Sequence, residues 1–309
     1  MPDEIVTQIL CGREVSNKIR AQLKEEIDQI SKTLGPHVHL PRLDVIIVGD
    51  RDDSALYVRM KTDACAKVGI QSLTHRLPAT TTQEELDNLI CELSADPCVS
   101  GVLLQLPLPA GLESSQALQN LRWEKDVDGL TEVNMGKLMS MGLEAPLLPC
   151  TPLGCVKMLQ HYKVDVSGKK ALVVGRSLLV GKPMASLLVG MDATVTLAHS
   201  KTQDLEALVG AADLVVVAVG KHGTVKGSWL KKGSCLLDVG INYTAQGTVV
   251  GDVDWEGVEG NCAYASPVPG GAGPMTVTTL LWNTLVAWKL LRQNTRQRLS
   301  AHVTIDDYE

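Results

Sequence analysis

The sequence predicts an α/β protein of two domains, each built around a parallel sheet. Short Val- and Leu-rich runs alternate with amphipathic stretches twice over, from Leu43 to Leu104 and again from Ala171 to Val239. The second series opens with Lys170-Ala-Leu-Val-Val174, breaks at Gly175, and resumes after Gly181 and Pro183 as the helical run Met184–Leu188. Strand, glycine turn and helix together present backbone N–H groups and a helix N-terminus to a phosphate. The usual G-x-G-x-x-G fingerprint is absent and G-R-S-x-x-V-G-x-P stands in its place. From these residues alone, a nucleotide site and a plain α/β turn both stay open.

The elements follow in order. Ile9 to Ile30 carries apolar residues at helical spacing and reads as a surface helix. Leu43–Val48 is a strand ending at Gly49, and Asp52 or Asp53 caps a helix from Ala55 to Val68 that stops at Gly69. Ile70–Leu77 is the next strand. Thr82 and Glu85 have capping-box spacing for a helix to Leu93, and the strand Val99–Leu104 is closed by Pro107 and Pro109. Asn120–Gly129 is polar and turn-like, with a short helix from Val133. Pro146–Pro152 marks a boundary, and a helix from Thr151 to Leu159 crosses between domains. The second half reads as strand Ala171–Val174, helix Pro183–Leu188, strand Thr194–Ala198, helix Leu205–Val209, and strands Asp213–Val219 and Cys235–Val239. This is a Rossmann-like, doubly wound order with its turn first. After the Gly-rich loop Pro267–Gly273, the helix Met275–Leu291 is expected to pack back on the first domain. The expected domains are therefore 1–150, completed by helix 275–292, and 151–274, with a polar, frayed tail over 293–309.

Composition excludes several function classes. Of 309 residues, 45% are hydrophobic and 21% charged, and Phe is absent, so Leu, Val and Met must fill the core. A net charge of −6 argues against a broad nucleic-acid surface. No stretch is apolar enough for a bilayer, and the acidic start Met1-Pro2-Asp3-Glu4 resembles no leader, so no membrane association and a cytoplasmic location are expected. The eight cysteines contain no C-x-x-C pair and read as buried free thiols. No H-E-x-x-H occurs, and no metal site is expected.

Some residue pairs point to chemistry. Tyr57 and Lys61 lie four apart on a helix and share a face, which suits a proton shuttle. Local information alone favours an exposed pair instead. The same Y-x-x-x-K spacing occurs in short-chain dehydrogenases, but there the glycine turn precedes the pair, and here it follows. Gln105 ends a strand where open α/β sheets place ligand crevices, or simply faces water. In Lys125-Asp-Val-Asp-Gly129, one carboxylate could accept two parallel hydrogen bonds from an amidine-like edge such as a pterin's, while an Asp-Gly turn is the plainer reading. His199, Ser200 and Lys201 follow the second strand of the later half, where an NAD site often has an acidic residue. With Arg176 in the turn, a 2′-phosphate would be welcome, which favours NADP. The Pro267–Pro274 loop is open to close backbone approach or to a hinge role.

Taken together, these segments resemble a known family. Tyr57-Val-x-x-Lys61, Gln105-Leu-Pro-Leu-Pro109, Lys125-Asp-Val-Asp-Gly129, Pro149-Cys-Thr-Pro152, Gly175-Arg-Ser-x-x-Val-Gly-x-Pro183, Gly251-Asp-Val253 and Pro267-Val-Pro-Gly-Gly-x-Gly-Pro-Met-Thr276 occur in order. The pattern resembles the bifunctional methylenetetrahydrofolate dehydrogenase/methenyltetrahydrofolate cyclohydrolase family over about Ile9 to Leu291. Each motif alone is weak, and the ordered set is specific.

The resemblance implies a homodimer with a cleft between two domains, tetrahydrofolate derivatives bound mainly to the first domain and NADP to the second. It implies Lys61 as the proton carrier, Tyr57 orienting the folate, Gln105 holding Lys61 and Asp128 holding the pterin. Leu104, Leu106, Pro269, Gly270, Gly271 and Gly273 would complete the substrate site. Gly175, Arg176, Ser177, Ser200 and Ile241 would contact the cofactor. The implied chemistry is hydride transfer from 5,10-methylenetetrahydrofolate to NADP, then hydrolysis of the methenyl product to 10-formyltetrahydrofolate. The chain departs from the pattern at Ala272, at Leu178-Leu179, and in a short Tyr243–Val249 segment. The alternatives are a dehydrogenase lacking the second activity, a non-catalytic nucleotide- or folate-binding module, and a shikimate- or amino-acid-type dehydrogenase. Intact Tyr57, Lys61 and Gln105 argue against the first of these, Lys61 with Asp128 against the second, and the Pro267–Pro274 loop with Asp128 against the third.

Overall fold

Two separate parallel sheets take up the two Val- and Leu-rich series. The computed structural model describes residues 5–35, 39–49 and 52–303, without the side chains of 52–57 and 294–303. Its elements begin with β1 (Gln8–Ile9), α1 (Gly12–Leu34), β2 (Arg42–Val48), α2 (Asp52–Val68), β3 (Gln71–Leu77), α3 (Gln83–Ala95) and β4 (Gly101–Leu104). They continue with α4 (Ser114–Gln119), α5 (Glu132–Met141), α6 (Cys150–His161), β5 (Lys170–Val174), α7 (Gly181–Val189), β6 (Thr194–Ala198), α8 (Leu205–Ala211) and β7 (Leu214–Val217). The remainder is β8 (Val225–Lys226), β9 (Ser234–Asp238), β10 (Asn242–Tyr243), β11 (Val249–Val250), β12 (Val253–Asp254), β13 (Cys262–Ser266) and α9 (Ala272–Val303).

One compact unit comprises the described residues of Arg20–Gly136, Pro146–Leu148 and Leu280–Glu309. Its three-stranded sheet has the order β3-β2-β4, all parallel. The central strand β2 is buried from Leu43 to Val48, and Ile46 and Val48 pack with Leu86, Ile90 and Leu93 of α3. At the head of α3 the expected capping box is complete: Thr82 Oγ1 accepts from the Glu85 N–H at 3.2 Å, and Glu85 accepts from the Thr82 N–H at 2.8 Å. The Asp44 carboxylate is fully buried within β2, which is tolerable only with strong partners. Arg42 supplies two bonds of 2.7 Å, and His75 lies 2.8 Å away. Asp52 and Asp53 fall inside α2 rather than before it, and their side chains lie outside the described residues.

The other unit comprises the described residues of Met1–Ile19, Lys137–Ala145 and Pro149–Thr279. Its six-stranded sheet runs β1-β13-β9-β7-β5-β6, all parallel. Chain order reverses at β5, with β6 on one side and β7 on the other, the switch point of a doubly wound sheet. Val173, Val215, Val216, Val217, Leu236 and Leu237 have no or almost no exposed surface, as expected of strands covered on both faces.

Three further expectations need correction. The first helix begins at Gly12, because Gln8 and Ile9 are extended and pair with Tyr264 and Ala265 of β13, so the chain's first described residues join the six-stranded sheet. The expected strand Asp213–Val219 stops at Val217, because the Val219 N–H turns to the Asp252 carboxylate at 2.6 Å. The last helix runs from Ala272 to Val303 rather than from Met275 to Leu291, and nothing between Gln293 and Ser300 is a Gly or Pro that would stop it. The remaining tail, 304–309, lies outside the described residues.

On α9, the Asn283 amide donates to Val127 O and Leu148 O, both at 2.8 Å, and all three residues are buried. Asn283→Ala withdraws this donor from two buried carbonyls. It should destabilise the protein by about 2–3 kcal/mol, read as a lower urea midpoint at unchanged slope.

Candidate active site

Lys61 sits on the last half of α2, and Gln105 directly follows β4. The Gln105 N–H continues the strand ladder to Ile46 O at 2.9 Å, which fixes the residue at the carboxyl end of the sheet. Its side-chain amide donates to Leu106 O at 2.7 Å, turning Oε1 toward Lys61 Nζ, which donates to it at 2.8 Å. Both side chains are half-buried. A neutral amine still has N–H bonds to offer, so this contact can hold Nζ in place before and after it gives up a proton. Leu104 belongs to the buried core cluster and Leu106 packs against its edge. Tyr57 lies one turn before Lys61 on α2, and its side chain is outside the described residues.

The Lys125–Gly129 segment divides its labour by burial. Lys125 is 2% exposed and donates to Leu93 O at 3.1 Å and Asp96 O at 2.6 Å, the open carbonyls at the end of α3. Burial pulls its ammonium down to about 8, and nearby Arg122 pulls in the same direction. Asp126 is buried too, accepting from the Thr131 N–H and the Asn134 amide, each at 2.8 Å. Val127 has no exposed surface, and Asp126 bridges to Val102 of β4. With those three committed to the core, Asp128 is left as the half-exposed carboxylate of the motif.

In the six-stranded unit, Gly175 ends β5 at the switch point with φ of 125°, and a Cβ there would sit 2.2 Å from Ala218 O. Its N–H donates to Ala198 O at 2.9 Å, which places Arg176 and Ser177 beside the exit of β6, where Ser200 stands. Arg176, Ser177 and Ser200 are exposed. Ser177 Oγ also accepts from Val180 N–H at 3.1 Å and Gly181 N–H at 3.4 Å, holding the turn that leads into α7. Leu178 and Leu179, at the departure from the family pattern, are exposed. Ile241 follows β9 and is exposed on the same carboxyl-end side of the sheet.

Two buried carboxylates on that side were given no role by sequence reasoning. Asp252 accepts from the N–H groups of Val219, Gly220 and Lys221 at 2.6, 3.0 and 2.8 Å, and from the Asn242 amide at 2.9 Å. Asp238 ends β9 and accepts from the Asp252 and Val253 N–H groups at 2.9 and 3.1 Å. The available signals were the Gly251-Asp-Val253 motif and an Asp closing the apolar run Cys235–Leu237.

The loop Pro267–Gly273 belongs to this same unit, not to the one carrying Lys61. Gly270 has φ of 112°, its carbonyl accepts from the Arg13 N–H at 3.1 Å, and Gly271 N–H donates to Pro267 O at 2.8 Å. Pro269 and Gly273 are exposed, while Gly271 is buried.

Comparison with known proteins adds a family to this geometry. The family model for the tetrahydrofolate dehydrogenase/cyclohydrolase catalytic domain matches residues 10–128, and that for the family's NAD(P)-binding domain matches residues 149–292. A bifunctional protein FolD of Sphingopyxis alaskensis is 46% identical over 286 residues, covering 91% of this chain and 93% of that protein. The chain belongs to the tetrahydrofolate dehydrogenase/cyclohydrolase family. Among solved members of the family, the FolD methylenetetrahydrofolate dehydrogenase/cyclohydrolase of Campylobacter jejuni superposes with a TM-score of 0.88 at 42% identity, over 92% of this chain and 99% of that one. The Trypanosoma brucei member, complexed with NADP cofactor and inhibitor, also gives 0.88, at 37% identity over 94% of this chain and 99% of that one. The two-domain α/β architecture with a Rossmann-like NAD(P)-binding fold is that of the family.

The residues at the switch point fit a dinucleotide. The glycine turn leads into the N-terminus of α7, an exposed guanidinium stands in it, and a hydroxyl stands at the next strand exit. Among the described residues, no group of His, Cys, Asp and Glu is placed to hold a metal ion, and no helix is long and apolar enough to cross a membrane. Of the cysteines, Cys65, Cys150, Cys155, Cys235 and Cys262 are buried as expected, while Cys91 is exposed.

Burial pushes the Asp238 carboxyl up from 3.8 to about 7, against the pull of its two backbone donors. Its folded value lies above the unfolded one, so folding takes up a proton between roughly pH 4 and 7. The stabilisation is full below that window and lost as pH rises through 7. The stability difference between wild type and Asp238→Asn, measured by urea unfolding, should therefore shift across the window by at most about 4 kcal/mol and be level above pH 8. A difference independent of pH would remove Asp238 as the titrating group.

Proposed function

We propose that the chain oxidises 5,10-methylenetetrahydrofolate to the 5,10-methenyl form with NADP and hydrolyses that product to 10-formyltetrahydrofolate, with Lys61 carrying the proton in the second step. The observation that carries this reading is the 2.8 Å contact from Lys61 Nζ to Gln105 Oε1 at the carboxyl end of the three-stranded sheet, in a chain of this family.

In this reading the Lys61 unit is the folate and catalytic domain, and the six-stranded unit binds the cofactor. NADP supplies the hydride acceptor when bound. Gly175, Arg176 and Ser177 hold its phosphates, Ser200 lies toward the 2′-phosphate, and Ile241 lines the same crevice. Asp128 accepts two parallel hydrogen bonds from the pterin 2-amino and N3 groups. Tyr57 orients the pterin, and Leu106 with the Pro269–Gly273 loop borders the substrate. Leu104 acts from the core, by fixing the strand end that carries Gln105. In the hydrolytic step, water adds to the methenyl carbon as its proton passes to the Lys61 amine. The carbon–nitrogen bond to N5 then breaks as that proton passes to N5 and the adduct's hydroxyl gives its own proton to water, leaving a neutral formyl group on N10 and releasing one proton overall. The family resemblance supports a homodimer, and the eight free cysteines support a cytoplasmic setting.

Lys61→Met should cut ring opening of methenyltetrahydrofolate by at least about 100-fold while NADP affinity, measured by calorimetry, stays within twofold. Normal ring opening in that variant would defeat the lysine assignment. Asp128→Asn should raise KM for methylenetetrahydrofolate by roughly 10- to 100-fold through loss of a charge-assisted pair, with NADP affinity unchanged.

A further inference from the structure

The switch-point crevice has two walls within the six-stranded unit. One is the turn after β5, and the other is the segment from Ala218 to Lys221 after β7. They touch: a Cβ on Gly175 would lie 2.2 Å from Ala218 O and 3.5 Å from the Val219 side chain. Three successive N–H groups of the second wall, on Val219, Gly220 and Lys221, converge on a single point, and such a concavity ordinarily takes an anion from solution. Here the Asp252 carboxylate fills it from behind with no exposed surface, and a fourth donor, Asn242 Nδ2, completes the set.

The chain is shaped to keep that carboxylate in place. Asp252 and Asp238 stand next to each other's glycine. A Cβ on Gly240 would fall 2.0–2.2 Å from the Asp252 carboxylate atoms, and one on Gly251 would fall 1.8 Å from Asp238 Oδ2. Asp238 in turn fixes the Asp252 and Val253 N–H groups. The Asp252 carbonyl accepts from the Thr224 N–H at 3.0 Å, and the preceding Gly251 carbonyl takes the Asn242 amide at 3.0 Å, with His222 Nδ1 2.8 Å away. The loops after β7, β9 and β11 are thereby joined through one buried side chain.

We propose that Asp252 is a positioning residue for the cofactor: an internal anion that occupies the N–H nest after β7, sets the wall facing Gly175, and leaves the β5–α7 turn as the place for the dinucleotide phosphates. The inference rests on the cofactor reading above. It goes beyond it by assigning the second wall to a residue that does not contact the ligand.

The test compares Asp252→Asn, Gly240→Ala and Asn242→Ala with wild type. Asp252→Asn replaces one acceptor with a donor inside the nest, and Gly240→Ala pushes on the carboxylate without removing its charge. Three readouts are taken: the NADP dissociation constant by calorimetry, KM and kcat of the dehydrogenase, and the cyclohydrolase rate on methenyltetrahydrofolate without NADP. Asp252→Asn should weaken NADP at least 10-fold in both Kd and KM, Gly240→Ala should weaken it in the same direction, and Asn242→Ala should have a smaller effect. The cyclohydrolase rate should stay within twofold throughout. A general loss of structure would lower both activities together, so the split between them identifies positioning. Folded variants that bind NADP within twofold of wild type, or that lose both activities in parallel, overturn the inference. Should Asp252→Asn fail to fold by circular dichroism, Gly240→Ala and Asn242→Ala decide by the same criteria. Wild type that binds no NADP would overturn the cofactor reading and this inference with it, whereas unchanged variants of an NADP-binding wild type overturn the inference alone.

Discussion

Parallel strands deliver all their carboxyl ends to one side of a sheet, and the loops that leave there must satisfy their own N–H groups without closing over the space a ligand needs. This constraint governs both units. Parallel strands need crossover connections, so apart from the β10–β11 hairpin after β9 these loops cannot pair their groups in a tight turn with the next strand. The chain answers with buried side chains that act as internal hydrogen-bond partners. Asp252 takes three successive N–H groups after β7, Asp238 takes two more, and Asp126 takes the Thr131 N–H in the other unit. Each lies at or below 1% exposure, so none competes with a ligand for the open space.

The same logic explains why the groups proposed for the folate site are left partly uncovered. Lys125, Asp126 and Val127 sink into the core and leave Asp128 half-exposed. Gln105 spends its N–H on the strand ladder and its amide on Leu106 O, so the one atom left to face Lys61 is an acceptor. A carboxylate there would have held the lysine's proton more strongly, whereas an amide steers Nζ without adding an opposing charge.

Much of this was legible in the sequence, for identifiable reasons. Strands such as Lys170–Val174 and Thr194–Ala198 declare themselves through β-branched residues between turns, and Thr82 with Glu85 through fixed spacing. The ordered motifs carried the family. What stayed hidden were pairings between distant segments. Gln8–Ile9 has too few residues to show a period, and its strand character comes from Tyr264 and Ala265. Cys262–Ser266 mixes small and polar residues and becomes a strand only between β1 and β9. Asp252 resembles any loop aspartate until the backbone of 219–221 folds around it. Long-range hydrogen bonding leaves no local periodicity to read.

The choice of buried carboxylates over buried amides at these loop junctions follows from counting donors. An Asn side chain offers one acceptor oxygen and two donor hydrogens, so in the nest after β7 its amide nitrogen would confront backbone N–H groups. A carboxylate offers two acceptor oxygens and no donor, which matches four N–H groups arriving from Val219, Gly220, Lys221 and Asn242. Burying that charge costs several kcal/mol unless such bonds offset it. The donors are therefore a requirement of the charge as much as the charge is a requirement of the loop. The glycines at 240 and 251 follow from the same geometry, since the space beside each carboxylate is too small for a methyl group. In such a junction every member of the set needs the others, and a fixed wall of this kind is what the positioning role proposed for Asp252 requires.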